Sequence, residues 1–134
     1  MKKLLTTKIY APDITLLLLR LSFGGIMAVN HGWGKLGKLT GDGNIKFYDI
    51  GMGAEASLAL AVFGELVCGA LLAAGLFTRF AAATLVITMG VAVFGAHGDD
   101  ILGDGEHALL YMIGYMTLLI MGPGKFSADK ALFS

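Results

Sequence analysis

The chain is poor in cysteine, in proline and in charge. Cys68 is the only cysteine among 134 residues and it lies inside an apolar run. A disulfide framework is therefore excluded, as are CxxC redox chemistry and a thiolate zinc site within one chain. Two prolines are present, Pro12 and Pro123, each at the edge of an apolar run. Charged residues make up only 15% of the chain, and ten Lys+Arg balance ten Asp+Glu. With no net charge, no basic block and no recognisable motif, a nucleic-acid partner is not expected. Internal repeats and low-complexity segments are also lacking.

Apolar residues and glycine are abundant: 56% of the chain is AVILMFWYC, with 20 Gly, and the mean hydropathy is +0.75. One domain is the natural count at this length, and a single soluble core could not hide so much apolar surface. Lipid must cover the rest. Apolar runs extend from Ile14 to Val29, Ala56 to Phe77, Phe80 to Ala96 and Ala108 to Met121. They predict an all-α polytopic membrane protein, a four-transmembrane-helix bundle forming one domain over residues 1–134. Its helices are expected at about 13–31, 55–77, 79–97 and 106–122. The last run is short for a hydrocarbon core of about 30 Å, so its helix is expected to extend outward through Glu106 and His107. The opening also has the look of a signal peptide, but Pro12-Asp13, the interrupting Arg20 and the direct continuation after Ala28 into a polar turn do not suit a cleaved segment.

Lys and Arg in the connections set the orientation. Lys2, Lys3, Lys8, Arg79, Lys125 and Lys130 fall on one side, and Lys35, Lys38 and Lys46 on the other. This excess predicts that both termini and the Thr78-Arg79 turn are cytoplasmic. The long loop from Gly32 to Glu55 and the acidic loop from Gly98 to Gly105 then face outward. Within the long loop, Asn44 to Ile50 carries Ile45, Phe47 and Tyr48 and is expected to form a short interfacial helix. Gly122-Pro123-Gly124 should stop the last helix, with Ser127 and Asp129 capping a brief tail helix. Most glycines within the spans are expected to serve helix packing, with Gly24 and Gly90 as candidate cavity-makers.

Arg20 and Glu65 stand inside apolar runs, where an unpaired charge costs roughly 3 kcal/mol or more. Both are expected to face the bundle interior. Arg20 lies about 9 Å and Glu65 about 20 Å from the cytoplasmic helix ends, a gap that two long side chains could just close as an ion pair. The alternatives are a purely structural pair and an Arg20 that snorkels alone to the inner interface. The three histidines share one level: His31 closes helix one, His97 closes helix three, and His107 opens helix four beside Glu106. Imidazole titrates near neutrality and binds metals, and a neighbouring carboxylate can orient it. Arg20, Gly24, Met27 and His31 form a stripe on helix one; His107, Tyr111, Gly114 and Leu118 form another on helix four. With Asn30 and Trp33 they outline an outward-facing pocket. Its catalytic candidates are His31, Glu106 and His107, with Glu65 below, and its binding candidates are Arg20, Trp33, His97 and Tyr111. Interfacial anchoring of the histidines and a metal site are the competing readings.

Arg20 with Gly24, the stretch His31-Gly32-Trp33-Gly34-Lys35, Gly64-Glu65, the run Gly75-Leu76-Phe77-Thr78-Arg79, His97, Glu106-His107, and Gly122-Pro123-Gly124 with Ser127 and Asp129 follow one another across nearly the whole chain. In that order they resemble the DoxX family of small four-helix bacterial membrane proteins. The resemblance implies residence in the bacterial cytoplasmic membrane. It also implies kinship with the small subunit of a thiosulfate:quinone oxidoreductase and with membrane partners of redox-defence enzymes. A quinone-linked subunit is then the leading expectation, with a quinone head group in the outer pocket and electrons from a partner protein or a bound metal. The alternative is a non-catalytic assembly or anchoring protein for a redox partner, in which glycine-lined faces recruit that partner. A homo-oligomer is compatible with either. A transporter fits less well, since four spans without repeats leave little room for alternating access.

Overall fold

The computed structural model describes residues 2–41 and 43–134, and among them there is helix but no strand. Four long helices follow in order: α1, Pro12–Thr40; α2, Ala54–Ala74; α3, Thr78–Ala96; and α4, Glu106–Met121. A short tail helix, α5, covers Ala128–Phe133. The first three are long and apolar enough to cross a membrane, and much of their apolar surface faces outward. Ile26, Val29, Phe63, Ile87, Phe94, Ile113 and Ile120 are all exposed. An outward belt of this kind is stable only in contact with lipid. The chain is a multi-pass membrane protein. At 16 residues, α4 reaches about 24 Å.

Each end follows from local chemistry. Pro12 at the first turn of α1 loses no hydrogen bond there, and Asp13 faces the positive end of the helix dipole. Before α2, the Asp49 carboxylate accepts the N–H groups of Gly51, Met52 and Gly53 at 2.7, 3.0 and 2.9 Å. Those three bonds hold its carboxyl below the usual carboxylate range, against a small opposing effect of burial. At the far end of α2, Gly75 adopts φ 72° while the Leu76 N–H reaches back to Leu71 O at 2.9 Å. This is a left-handed C-cap that favours glycine. Gly122, at φ 83°, and Pro123 stop α4, and Ser127 caps α5 by accepting the Lys130 N–H at 3.2 Å.

Two expectations about helix one and its loop are corrected. The helix does not end at His31 but continues to Thr40, because Trp33–Thr40 places Leu36 and Leu39 on one side as half-buried residues and Lys38 on the other. Glycines at 32, 34 and 37, read as a turn, are accommodated within it. Asn44 to Ile50 is not helical but a loop segment without regular secondary structure, and its Phe47, Tyr48 and Ile50 lie against the bundle.

Helices α1 and α2 approach so closely that a side chain at either of two glycines has no room. A Cβ at Gly24 would lie 2.6 Å from Gly69 O and 2.7 Å from Ala73 N, and one at Gly32 would lie 2.5 Å from Leu66 N. Gly24 is thus a packing residue, not a cavity-maker; Gly90 has only Met112 Sδ nearby, at 3.9 Å. The core joins Leu16, Met27, Cys68, Leu72, Leu85, Met89, Tyr115 and Leu118 from all four helices. The tail closes one end of the bundle: the Lys125 N–H donates to Asp13 at 2.9 Å, and Asp129 accepts from the Phe77 and Thr78 N–H groups at 2.7 and 2.9 Å. Asp129, expected to cap its own helix, caps α3 instead.

Candidate functional site

Three of the long helices contain π-helical stretches: Leu21–Gly25 and Met27–Gly32 in α1, Phe63–Cys68 in α2 and Val91–Ala96 in α3. Such wide turns frequently mark functional positions. Met27–Gly32 and Phe63–Cys68 pack on each other, and the second carries Glu65. The five-residue repeat keeps Met27 and Gly32 buried and turns His31 outward.

Glu65 is 2% exposed. Its two carboxylate oxygens take hydrogen bonds from Lys35 Nζ at 2.6 and 2.5 Å. Lys35 reaches it from the C-terminal part of α1 with 27% of its side chain still exposed, its ammonium 5.6 Å from the centre of the Phe47 ring. The pair compensates a charge that would otherwise stand alone in an apolar region.

Arg20 therefore does not pair with Glu65. It lies level with Ala73, eight residues along α2 from Glu65, or about 12 Å. Its guanidinium donates to Ala73 O at 3.1 Å and to Phe126 O, and is fully buried. It thus occupies the carbonyl end of α2, where the helix dipole favours a cation, close to Asp129.

Beside Glu65, between α2, α3 and the loop segment, is a cavity of about 370 Å³. Glu65 is the single carboxylate in a wall that is otherwise mostly apolar, with Ser57, Thr84, Thr88 and Tyr48 adding oxygens. Ser57 donates to Gly53 O at 2.8 Å, Thr84 to Phe80 O at 2.9 Å and Thr88 to Thr84 O at 2.8 Å. Their protons are used within the helices, which leaves oxygen lone pairs available to a ligand. Size and lining match small-molecule sites, which are mostly apolar with a few placed polar groups.

The remaining candidate residues are distributed differently. His31 is exposed and meets Tyr111 edge-on, ring centroids 5.8 Å apart; Tyr111 in turn contacts Phe23 and Tyr115 at 5.5 and 5.9 Å. The Tyr115 hydroxyl donates to Phe23 O at 2.8 Å, so this aromatic cluster fastens α4 to α1. Glu106 and His107 open α4 as exposed residues, Trp33 is 67% exposed, and His97 is half-buried at the end of α3. None of these lines the Glu65 cavity. Among the described residues, no group of three or more His, Cys, Asp or Glu is placed to hold a metal ion. The sequence places Lys35 in a loop because helix one is expected to end at His31, and it places Phe47 and Tyr48 on an interfacial helix instead of the cavity wall. The pattern of Lys35, Leu36, Lys38 and Leu39 at helical spacing was the available signal.

A protein of Haemophilus influenzae described as "Uncharacterized protein" is 32% identical over 83 residues, which cover 59% of this chain and 55% of that protein. The chain thus spans about half the length of the curated relative it matches. No solved structure matches significantly. The DoxX family model matches residues 15–98, a stretch that contains Lys35, Glu65 and every residue lining the cavity. The chain belongs to the DoxX family.

Proposed function

We propose that this protein is the membrane subunit of a redox system and binds a quinone or a similar small ligand in the cavity beside Glu65. The supporting observation is a buried carboxylate, held by one lysine, in the wall of an apolar cavity of ligand size. A bound quinone would supply carrier chemistry for electrons and protons. The Tyr48 hydroxyl can donate to a carbonyl oxygen of a ring placed there, and the Glu65 carboxylate, held by Lys35 from behind the wall, can accept from a ring hydroxyl. Moving a proton between Glu65 and Lys35 within the pair keeps the net charge of the site constant, which suits acid–base work in a low-dielectric region. Electrons come from a partner protein in this reading. His31 and His107, the other candidates for proton exchange, do not line the cavity.

The same reading takes α4 as a fourth span and puts both termini in the cytoplasm, following the Lys/Arg excess at the closed end. In a Cys68→Ala background, a thiol at Ser127 should be protected from an impermeant reagent in intact cells while one at Gly43 reacts. The opposite pattern would reverse the orientation.

The function itself is tested by solvent extraction of the protein purified in mild detergent. Wild type should retain quinone at a substantial fraction of one per chain, and Glu65→Gln should lose it with the fold intact. Wild-type protein free of quinone, and unable to bind added decylubiquinone, would leave the assembly or anchoring role in its place.

A further inference from the structure

The rim of the cavity raises the question of how a ligand reaches Glu65. Leu60 and Phe63 on α2, and Ile87 and Val91 on α3, line the cavity and are also exposed, at 48%, 42%, 69% and 38%. They belong to the apolar belt that faces lipid. The opening between α2 and α3 therefore looks sideways into the hydrocarbon.

Toward the α1–α2 loop end, the loop segment acts as a roof. The Ile50 N–H donates to Ser57 Oγ at 3.1 Å, and the Lys35 ammonium sits 5.6 Å from the Phe47 ring centre. Tyr48 lies over Gly95 so closely that a Cβ there would be 2.9 Å from its ring. These contacts cover the route from water and leave the gap between helices open.

Charge narrows the ligand class. Glu65 and Lys35 neutralise each other, so the wall offers hydrogen-bonding oxygens without net charge, and an ionic metabolite would find no counter-charge. Glu65 also lies about 16 Å along α2 from its start, deep in the span. A water-soluble ligand would have to give up its hydration to reach it.

Resting on the binding site proposed above, we infer that the cavity is loaded from the bilayer. Its ligand is a neutral, lipid-dissolved amphiphile whose polar ring lies against Glu65 and whose apolar tail leaves through the gap between α2 and α3.

The test compares two probes on the full-length protein in lipid nanodiscs: a dimethoxy-methyl-benzoquinone without a tail, and the same ring carrying a decyl chain, each referred to its free concentration in water. The decyl form should bind wild type more tightly, by about fifteenfold for every two methylenes kept out of water. Ile87→Trp or Leu60→Trp, which add bulk at the gap, should remove that advantage, read as the ratio of decyl to tailless affinity within each variant. Ile120→Trp, on a lipid-facing position away from the cavity, should behave as wild type and serves as a folding and surface control. Glu65→Gln should weaken both probes. If both gap variants keep the decyl advantage while Glu65→Gln still weakens binding, the site stands and sideways entry is wrong. If Glu65→Gln binds both probes as wild type does, the site itself is wrong, whatever the gap variants show.

Discussion

Lys35 and Glu65 meet 30 residues apart in sequence, with Lys35 Nζ within 2.6 Å of both carboxylate oxygens of Glu65. The contact crosses between α1 and α2 above the glycine seam that lets the two helices touch. Because the seam fixes the register, Glu65 falls within reach of Lys35 rather than Arg20, and Arg20 is left to bind main-chain carbonyls at the other end. Glu65 is thus met by an ion pair and Arg20 by main-chain carbonyls, with the buried Arg20 Nε left without a hydrogen bond.

The two charges should be energetically independent of each other, while Glu65 and Lys35 should be coupled. Lys35→Leu strands a buried carboxylate and is expected to cost about 1–3 kcal/mol, below the upper range for buried pairs because Lys35 is partly exposed. The double variant Lys35→Leu/Glu65→Leu should melt at a higher temperature than the two single effects predict by addition, whereas Arg20→Leu/Glu65→Leu should be additive. Thermal melts of the five variants in detergent decide the matter.

The seam gives a sharper contrast between adjacent glycines. Gly24→Ala must displace the main chain of α2 at Gly69 and Ala73, and should destabilise by about 1–3 kcal/mol. Gly25→Ala meets nothing within 4 Å, so it should be neutral or slightly stabilising through its better helix propensity. Equal melting temperatures for the two would contradict the observed approach of α1 and α2.

Arg20 should govern the docking of the tail. Its bonds to Ala73 O and Phe126 O tie the segment after α4 to the end of α2. Arg20→Met removes both and should speed tryptic cleavage after Lys125 and Lys130, with little change in cleavage after Lys46. A tail as resistant as that of wild type would show that Asp129 and Asp13 suffice to hold it.

Acid should release the same tail. Burial pushes the Asp129 carboxyl up, but the N–H groups of Thr78 and Phe77 and the charge of Arg20 outweigh it and hold the carboxyl below its ordinary value. The folded state thus favours the charged form, and its contribution is fully present above the unfolded value near 3.9. It is lost as pH falls through the lower folded value. Melting temperature should decline across that acidic window in wild type, and the decline should be shallower in Asp129→Asn.

The start of α2 and both ends of α4 were legible because their signals are local: the glycines before α2, Glu106 opening α4, and Gly122-Pro123 closing it; α2 stops at Ala74, three residues short of the expected end, because Gly75 takes a left-handed cap. Membrane residence was legible too, since a chain this apolar has more surface than one small core can cover. Helix one was misjudged at Gly32, Gly34 and Gly37, where glycine in isolation reads as a turn and packing on α2 makes it helix. The sequence alone therefore determined how many apolar helices form, where most of them stop, and that Arg20 and Glu65 must turn inward. Only the tertiary structure decided which partner each charge takes, that His31 turns outward, and that a cavity opens beside Glu65. Those outcomes depend on the rotation and register of packed helices, set by π-helical turns and backbone contacts between segments distant in sequence, and no local spacing encodes them.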